Sequence, residues 1–189
     1  MDLTSEYLAE QKDTIRRNFD GYARSIHDPL TALRLKNLIA FYNLYAFDRA
    51  KTISVGSGGF EPFHTCTSHA CDVDSLSHTL LKQLGWKGIF ITCSCDKIPY
   101  DDRYFKAAVC SEVIEHLPSK EIVRATFLEL DRVAQHWLVT TPTRDVHEPT
   151  HRFIFTEKDL VELTAGLNVQ IEKQGLFFYI HDGERKVFT

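Results

Sequence analysis

Three groups of residues in this 189-residue chain have types and spacings that chemistry can use. The first is Gly56, Gly58 and Gly59, which follow a short apolar run, with Asp72 at the end of the next one. Glycine lets the backbone turn tightly and lets a ligand approach the main chain. An acid at the tip of the following strand accepts hydrogen bonds from both hydroxyls of an adenosine ribose. The trio by itself is as compatible with a plain tight turn. The second group is Glu112, Glu115 and His116, with His147, Glu148 and His151 downstream. His116, His147 and His151 are of the type that serves as a general base, and Glu112 and Glu115 form a carboxylate pair. His116 equally suits a capping position. Two histidines four apart bind metal on a helix, but Pro149 between them predicts a loop. They therefore read as polar contacts to a substrate, and no metal is expected. The third group is Cys71, Cys93 and Cys95. Cys93 and Cys95 flank one residue, not the two that structural zinc sites prefer, so the favoured reading is small apolar strand residues. A metal or redox site built from the three is the alternative.

The elements that must position these groups are legible in the hydrophobic pattern. Residues 5–26 and 29–47 read as helices, the second with Pro29 in its first turn. Its apolar face is drawn from Leu30, Leu33, Leu38, Phe41, Leu44 and Tyr45. Aromatic residues crowd this region as core, and Phe19 and Tyr22 are candidates to touch a ligand. After Ala50 short apolar runs alternate with amphipathic ones: strands at 51–56, 68–74, 87–94, 105–113 and 136–142, and helices at 75–85, 119–134 and 156–167. Gly85 is a C-terminal stop, Ser119 an N-cap, and Thr156 with Asp159 a capping box. Asp182-Gly183 predicts the turn of a terminal hairpin. The fold class is therefore α/β: a mainly parallel sheet with a C-terminal antiparallel hairpin strand and helices on both faces. The chain reads as one domain, a helical cap over 1–50 and a Rossmann-like core over 51–189.

Hydrophobic residues at 43% and charged residues at 25% are those of a soluble globular protein. A net charge of −4 argues against a nucleic-acid grip. No apolar run spans a membrane, the N-terminus is acidic and polar, and an odd count of five cysteines suits reduced thiols. A cytoplasmic protein is expected.

The segment "CSCDKIPYDDRYFKAAVCSEVIEHLP", taken with the glycine loop and Asp72, resembles the class I S-adenosylmethionine-dependent methyltransferases. The likeness is to their small type 11 branch, which includes the ubiquinone-biosynthesis O-methyltransferases. It covers about residues 53–167, and its most specific block is Glu112-Val-Ile-Glu-His-Leu117. The resemblance implies S-adenosylmethionine as cofactor. Gly56, Ser57 and Gly58 would lie beneath its methionyl portion, Asp72 and Val73 at its ribose, Ser94 and Cys95 beside its adenine, and Glu112 and Val113 under its sulfonium. An N-terminal helical lid and a small-molecule or glycan acceptor are also implied. The chain departs from the family at Ser54 and Ser94, where an acid is usual, and at Phe60, where a glycine is. Glu61 offers a carboxylate near the first of these, and Asp96 lies two residues from the second. The stretch from Gly56 to Asp72 is short for the family, and Pro62 predicts a short helix or turn there with Phe60 packed inward. A methyltransferase-like binding or regulatory protein is the main rival reading. A nicotinamide-dependent oxidoreductase is disfavoured, because a third glycine opening a long helix is missing.

Overall fold

The computed structural model describes residues 4–25, 28–46, 48–144 and 148–182, with the side chains of 22–25 left aside. His147, Gly183 and the Tyr22 side chain thus lie outside the described residues.

Two helices lead the chain, α1 (Ser5–Ser25) and α2 (Pro29–Tyr45). Asp28 caps α2 by accepting from the Thr31 amide, and Pro29 follows in the first turn, where its missing N–H costs nothing. Strands β1 (Thr52–Val55), β2 (His69–Asp72), β3 (Ile89–Thr92), β4 (Phe105–Ser111) and β5 (Ala134–Pro142) are parallel. Helices α3 (Glu61–Thr65), α4 (Leu76–Gln83), α5 (Lys120–Val133) and α6 (Glu157–Leu163) connect them, with Ser119 capping α5 and the Thr156–Asp159 capping box opening α6. The chain closes on an antiparallel hairpin, β6 (Gln170–Gln174) and β7 (Phe177–His181). The sheet order is β3-β2-β1-β4-β5-β7-β6, with β7 antiparallel to β5. Strand order reverses between β1 and β4, and ligands of such sheets bind beyond the carboxyl ends at that switch point.

Side chains alternate along β4. Ala108 and Cys110 join a core with Phe127, Leu130 and Leu160 of α5 and α6, while Ala107 and Val109 meet Leu38, Phe41 and Tyr42 of α2. Each large side chain buried this way contributes about 1.5–3 kcal/mol. The Tyr42 hydroxyl, fully buried, donates to the Ile53 carbonyl at 2.8 Å and ties α2 to β1.

One expectation is corrected. The buried face of α2 is Leu35, Asn37, Leu38, Phe41 and Tyr42, whereas Leu33 and Leu44 are exposed. Apolar residues surround this helix, so periodicity does not single out a face; the polar Asn37 is inside because it donates to the Tyr179 hydroxyl and to Gln174. The described hairpin turns at Gly175, in the left-handed region at φ +57°, between β6 and β7, while the Asp182-Gly183 turn falls on Gly183, outside the described residues. Asp182 accepts from the Trp137 amide and pairs with His136 just past β7, which stitches the hairpin to β5.

Candidate functional site at the strand tips

The β1 tip turns at once. The amides of Gly56 and Ser57 both donate to the Cys71 carbonyl, and Gly56 sits at φ +68° against Val113. A Cβ at Gly56 would come within 2.4 Å of a Val113 methyl carbon, so only glycine fits. Asp72 then fastens the loop. Its carboxylate accepts from the Gly58 amide at 3.0 Å, the Val73 amide at 2.8 Å and the Ser77 hydroxyl at 2.9 Å. Burial pushes its pKa above the usual carboxylate value, and those three bonds oppose the shift.

Beyond the loop, α3 is a single five-residue turn, as Pro62 and the short Gly56–Asp72 spacing imply. Phe60 is half-buried, lining a surface cavity with Arg17, Thr31 and Arg34 instead of entering the core. Glu61 is buried, and its carboxylate accepts from the Ser54 hydroxyl at 2.7 Å. The Ser94 hydroxyl likewise donates to Asp96. At both Ser54 and Ser94 a neighbouring acid is thus tethered to the serine. Burial raises Glu61 to about 7, against the pull of Arg34 and of its Ser54 hydrogen bond.

On the other side, β4 ends at Ser111, and Glu112 just beyond it is held at φ +56° with its carboxylate on the Thr140 hydroxyl at 2.8 Å. A non-glycine residue in that region is a strain of the kind found at functional sites. A 3-10 turn over Ile114–His116 follows and points Glu115 and His116 inward, both buried. The Glu115 carbonyl accepts from the Arg152 and Phe153 amides, which pins the 148–153 loop across the turn. Glu115 Oε2 accepts from Thr141, while Oε1 has no hydrogen-bond partner among the described residues. Burial, and then the charge of Glu112, push Glu115 well up. Burial, then His151, lower His116 to about 4.

These pieces surround one cavity of about 70 Å³. Gly56, Gly58, Asp72, Val73, Cys93 and Cys95 form one wall, Glu112, Val113, His116 and Leu117 another. Helix α1 closes it with Tyr7, Gln11, Thr14, Ile15 and Asn18. Ser57, Glu61 and Ser94 do not line it, and neither does Phe19 or His151. Sequence reasoning missed the α1 contributors. Their signal was present: residues 7, 11, 14, 15 and 18 recur at helical spacing with a polar character unlike a core stripe. The interaction of the neighbouring Cys71 and Cys93 thiols, with burial, raises the pKa of Cys71, while the same interaction lowers that of Cys93. Among the described residues the three-donor cluster is Glu115, His116 and His151, not the cysteines.

No protein-family model matches the chain, and no curated protein does. Solved structures do. Magnesium protoporphyrin IX methyltransferase from Synechocystis PCC 6803, with bound S-adenosylhomocysteine, is 11% identical at TM-score 0.69, over 94% of this chain and 98% of that one. A Burkholderia thailandensis 1,6-didemethyltoxoflavin-N1-methyltransferase, also with S-adenosylhomocysteine, is 16% identical at TM-score 0.63, over 96% and 90%. A SAM-dependent methyltransferase from Aquifex aeolicus is 19% identical at 0.64, over 89% and 96%. The chain has the class I methyltransferase fold. On that fold the cavity falls at the carboxyl ends of β1, β2 and β4. No helix among the described residues is long and apolar enough to cross a membrane.

Proposed function

We propose that this protein is an S-adenosylmethionine-dependent methyltransferase acting on a small-molecule or glycan acceptor by in-line transfer to oxygen or nitrogen. One observation carries the reading: Gly56, Gly58, Asp72, Val73, Cys95, Glu112 and Val113 converge on one cavity at the switch point of the sheet. The similar structures that hold S-adenosylhomocysteine support the choice of cofactor. In this reading Asp72 and Val73 meet the ribose, Cys95 the adenine, and Gly56 and Gly58 the methionyl chain, while Ser57 and Ser94 stand behind the cavity wall. Glu61, on Ser54, provides the carboxylate for the ammonium. A sulfonium is an excellent leaving group, so the protein's work is to orient the reactants and exclude water. His116 stands at the cavity wall, uncharged at neutral pH, as a general base must be before it takes a proton. The whole chain acts as one catalytic unit, in a cytoplasm whose reducing conditions suit five free thiols.

Calorimetry with S-adenosylhomocysteine tests this directly. Wild-type protein binds it, and Asp72→Ala weakens binding about tenfold or more through loss of charge-assisted hydrogen bonds. Absence of binding by the wild type overturns the proposal. The rival reading, a cofactor-binding regulatory protein, draws on the withdrawal of Ser94 and Asp96 from the cavity; it is separated by following labelled methyl groups into a panel of small acceptors.

A further inference from the structure

Helix α1 roofs the cavity, and the walls beneath show in what order its residues cross it. Tyr7 stands at the Cys95 end: burial first, then Cys95 and Asp72, push its phenol up. Asn18 stands at the glycine-loop end, where it lines both this cavity and the surface cavity of Phe60. The next residue, Phe19, packs beside Gly59, 3.7 Å from where a Cβ there would lie. At 1.5 Å per residue, Tyr7 and Asn18 are about 16 Å apart along the helix, and Gln11 falls one turn from Tyr7. Gln11 thus belongs to the half of the roof over Cys93 and Cys95.

Gln11 is the roof residue with a polar group left over. Its Nε2 is buried and has no hydrogen-bond partner among the described residues. Thr14, nearly one turn on, is already paired: its hydroxyl donates to the Glu10 carbonyl and accepts from Arg17. A buried donor is destabilising until something accepts from it. The wall below has the converse shortage. The Ser94 hydroxyl donates to Asp96, and neither residue lines the cavity. The Cys95 thiol is engaged with the Thr126 hydroxyl. The turn after β3 therefore brings no acid to the wall, and a base with an amino group buried there needs an acceptor from elsewhere.

We propose that the Gln11 carboxamide reads the 6-aminopurine edge of the bound nucleoside, in place of an acid after β3. The assignment rests on the methyl-transfer reading, which puts a base at Cys95. A carboxamide presents an acceptor and a donor side by side, the complement of adenine's amino group and the ring nitrogen next to it. Oε1 accepts from the amino group while Nε2 donates to the ring nitrogen, the pairing by which glutamine reads adenine in DNA. The base is then selected by the helix that roofs the site, not by the strand tips beneath it.

The test compares two ligands by calorimetry on the full chain: S-adenosylhomocysteine, and its 6-desamino counterpart with hydrogen in place of the amino group. The wild type prefers the amino ligand about tenfold, the size expected of one net hydrogen bond. Gln11→Met, matched in length, and Gln11→Leu both lack the two polar atoms. Each weakens S-adenosylhomocysteine about tenfold and leaves the desamino ligand nearly as it was, so the preference falls to within about twofold. A merely structural Gln11 would weaken both ligands alike. Thermal melting verifies that each variant is folded. A wild type that binds neither ligand overturns the methyl-transfer reading, and this assignment with it. A wild type that binds both equally, or a preference that survives in both variants, overturns the assignment alone.

Discussion

Two buried carboxylates stand at the strand tips on opposite sides of the cavity, and their treatment differs. Asp72 is saturated by the protein: two amides and a hydroxyl occupy it, and it braces the very loop that donates to it. Glu115 receives one hydroxyl on Oε2, while Oε1 is unmatched among the described residues. A saturated buried acid organises the backbone and presents only its outer lone pairs to a ligand. An unsaturated one is a cost that a ligand can remove. The β1–β2 side of the cavity is thus held by a fully bonded acid, and behind the β4 side stands an acid with one oxygen unmatched among the described residues.

The comparison is broken most severely on the β1–β2 side. Gly56→Ala puts a carbon 2.4 Å from Val113 at a left-handed φ, and such strain is of order 1–3 kcal/mol before any clash is counted. S-adenosylhomocysteine binding should fall by about 100-fold or more by calorimetry. Binding within a factor of a few would mean that the loop does not form the cavity wall described.

Glu61 gives the next effect, through pH. Its folded pKa of about 7 exceeds the ordinary 4.5, so between those values the native state holds a proton that the unfolded chain has released. Stability therefore falls as pH rises through that window and levels off above 7. Glu61→Gln should erase the fall, a difference of on the order of 3 kcal/mol at most between pH 5 and pH 8 by urea denaturation. In the same variant S-adenosylhomocysteine should lose affinity while adenosine, which has no ammonium, keeps it. Equal effects on both ligands would remove Glu61 from the methionyl end.

A paired substitution sharpens the contrast itself. Asp72→Asn turns an amide toward donors and should cost about 1–3 kcal/mol of stability. Glu115→Gln keeps its Thr141 partner and offers an N–H toward His151, so it should cost less stability than Asp72→Asn. Equal costs would abolish the distinction between the two acids. Smallest of all, Arg17→Ala removes an exposed ion pair to Glu148 and should cost less than about 0.5 kcal/mol.

The fold was legible because its strands are short apolar runs and its stops are unambiguous: Gly85, Ser119 and the Thr156–Asp159 box behave in the structure as local chemistry dictates. Helix α2 was misread for the converse reason. Its leucines surround the axis, and only the tertiary partners of Asn37 and Tyr42 select a face. The same limit applies to the cavity. Gly56, Asp72 and Glu112 stand at strand ends, which the pattern marks. The spacing of Tyr7, Gln11 and Asn18 marks one face of α1, but that this face covers the cavity depends on where α1 docks, which the spacing does not encode. The link from Glu61 to Ser54 bridges seven positions through a turn forced by Pro62, and the loop that carries His151 is placed by backbone bonds to Glu115.

The way α1 is fastened has a kinetic consequence. A cavity of about 70 Å³ lies under α1, which supplies Tyr7, Gln11, Thr14, Ile15 and Asn18 to its wall. What holds the helix to the 148–153 loop is a set of exposed charge contacts, Glu10 with Arg152, Arg17 with Glu148, and the Arg152 guanidinium 5.6 Å over the Tyr7 ring. Added salt screens such contacts. If the cavity takes the nucleoside of the proposed cofactor, its capture and release should both quicken as ionic strength rises, because the contacts that tie α1 to the 148–153 loop are ones the buffer can loosen.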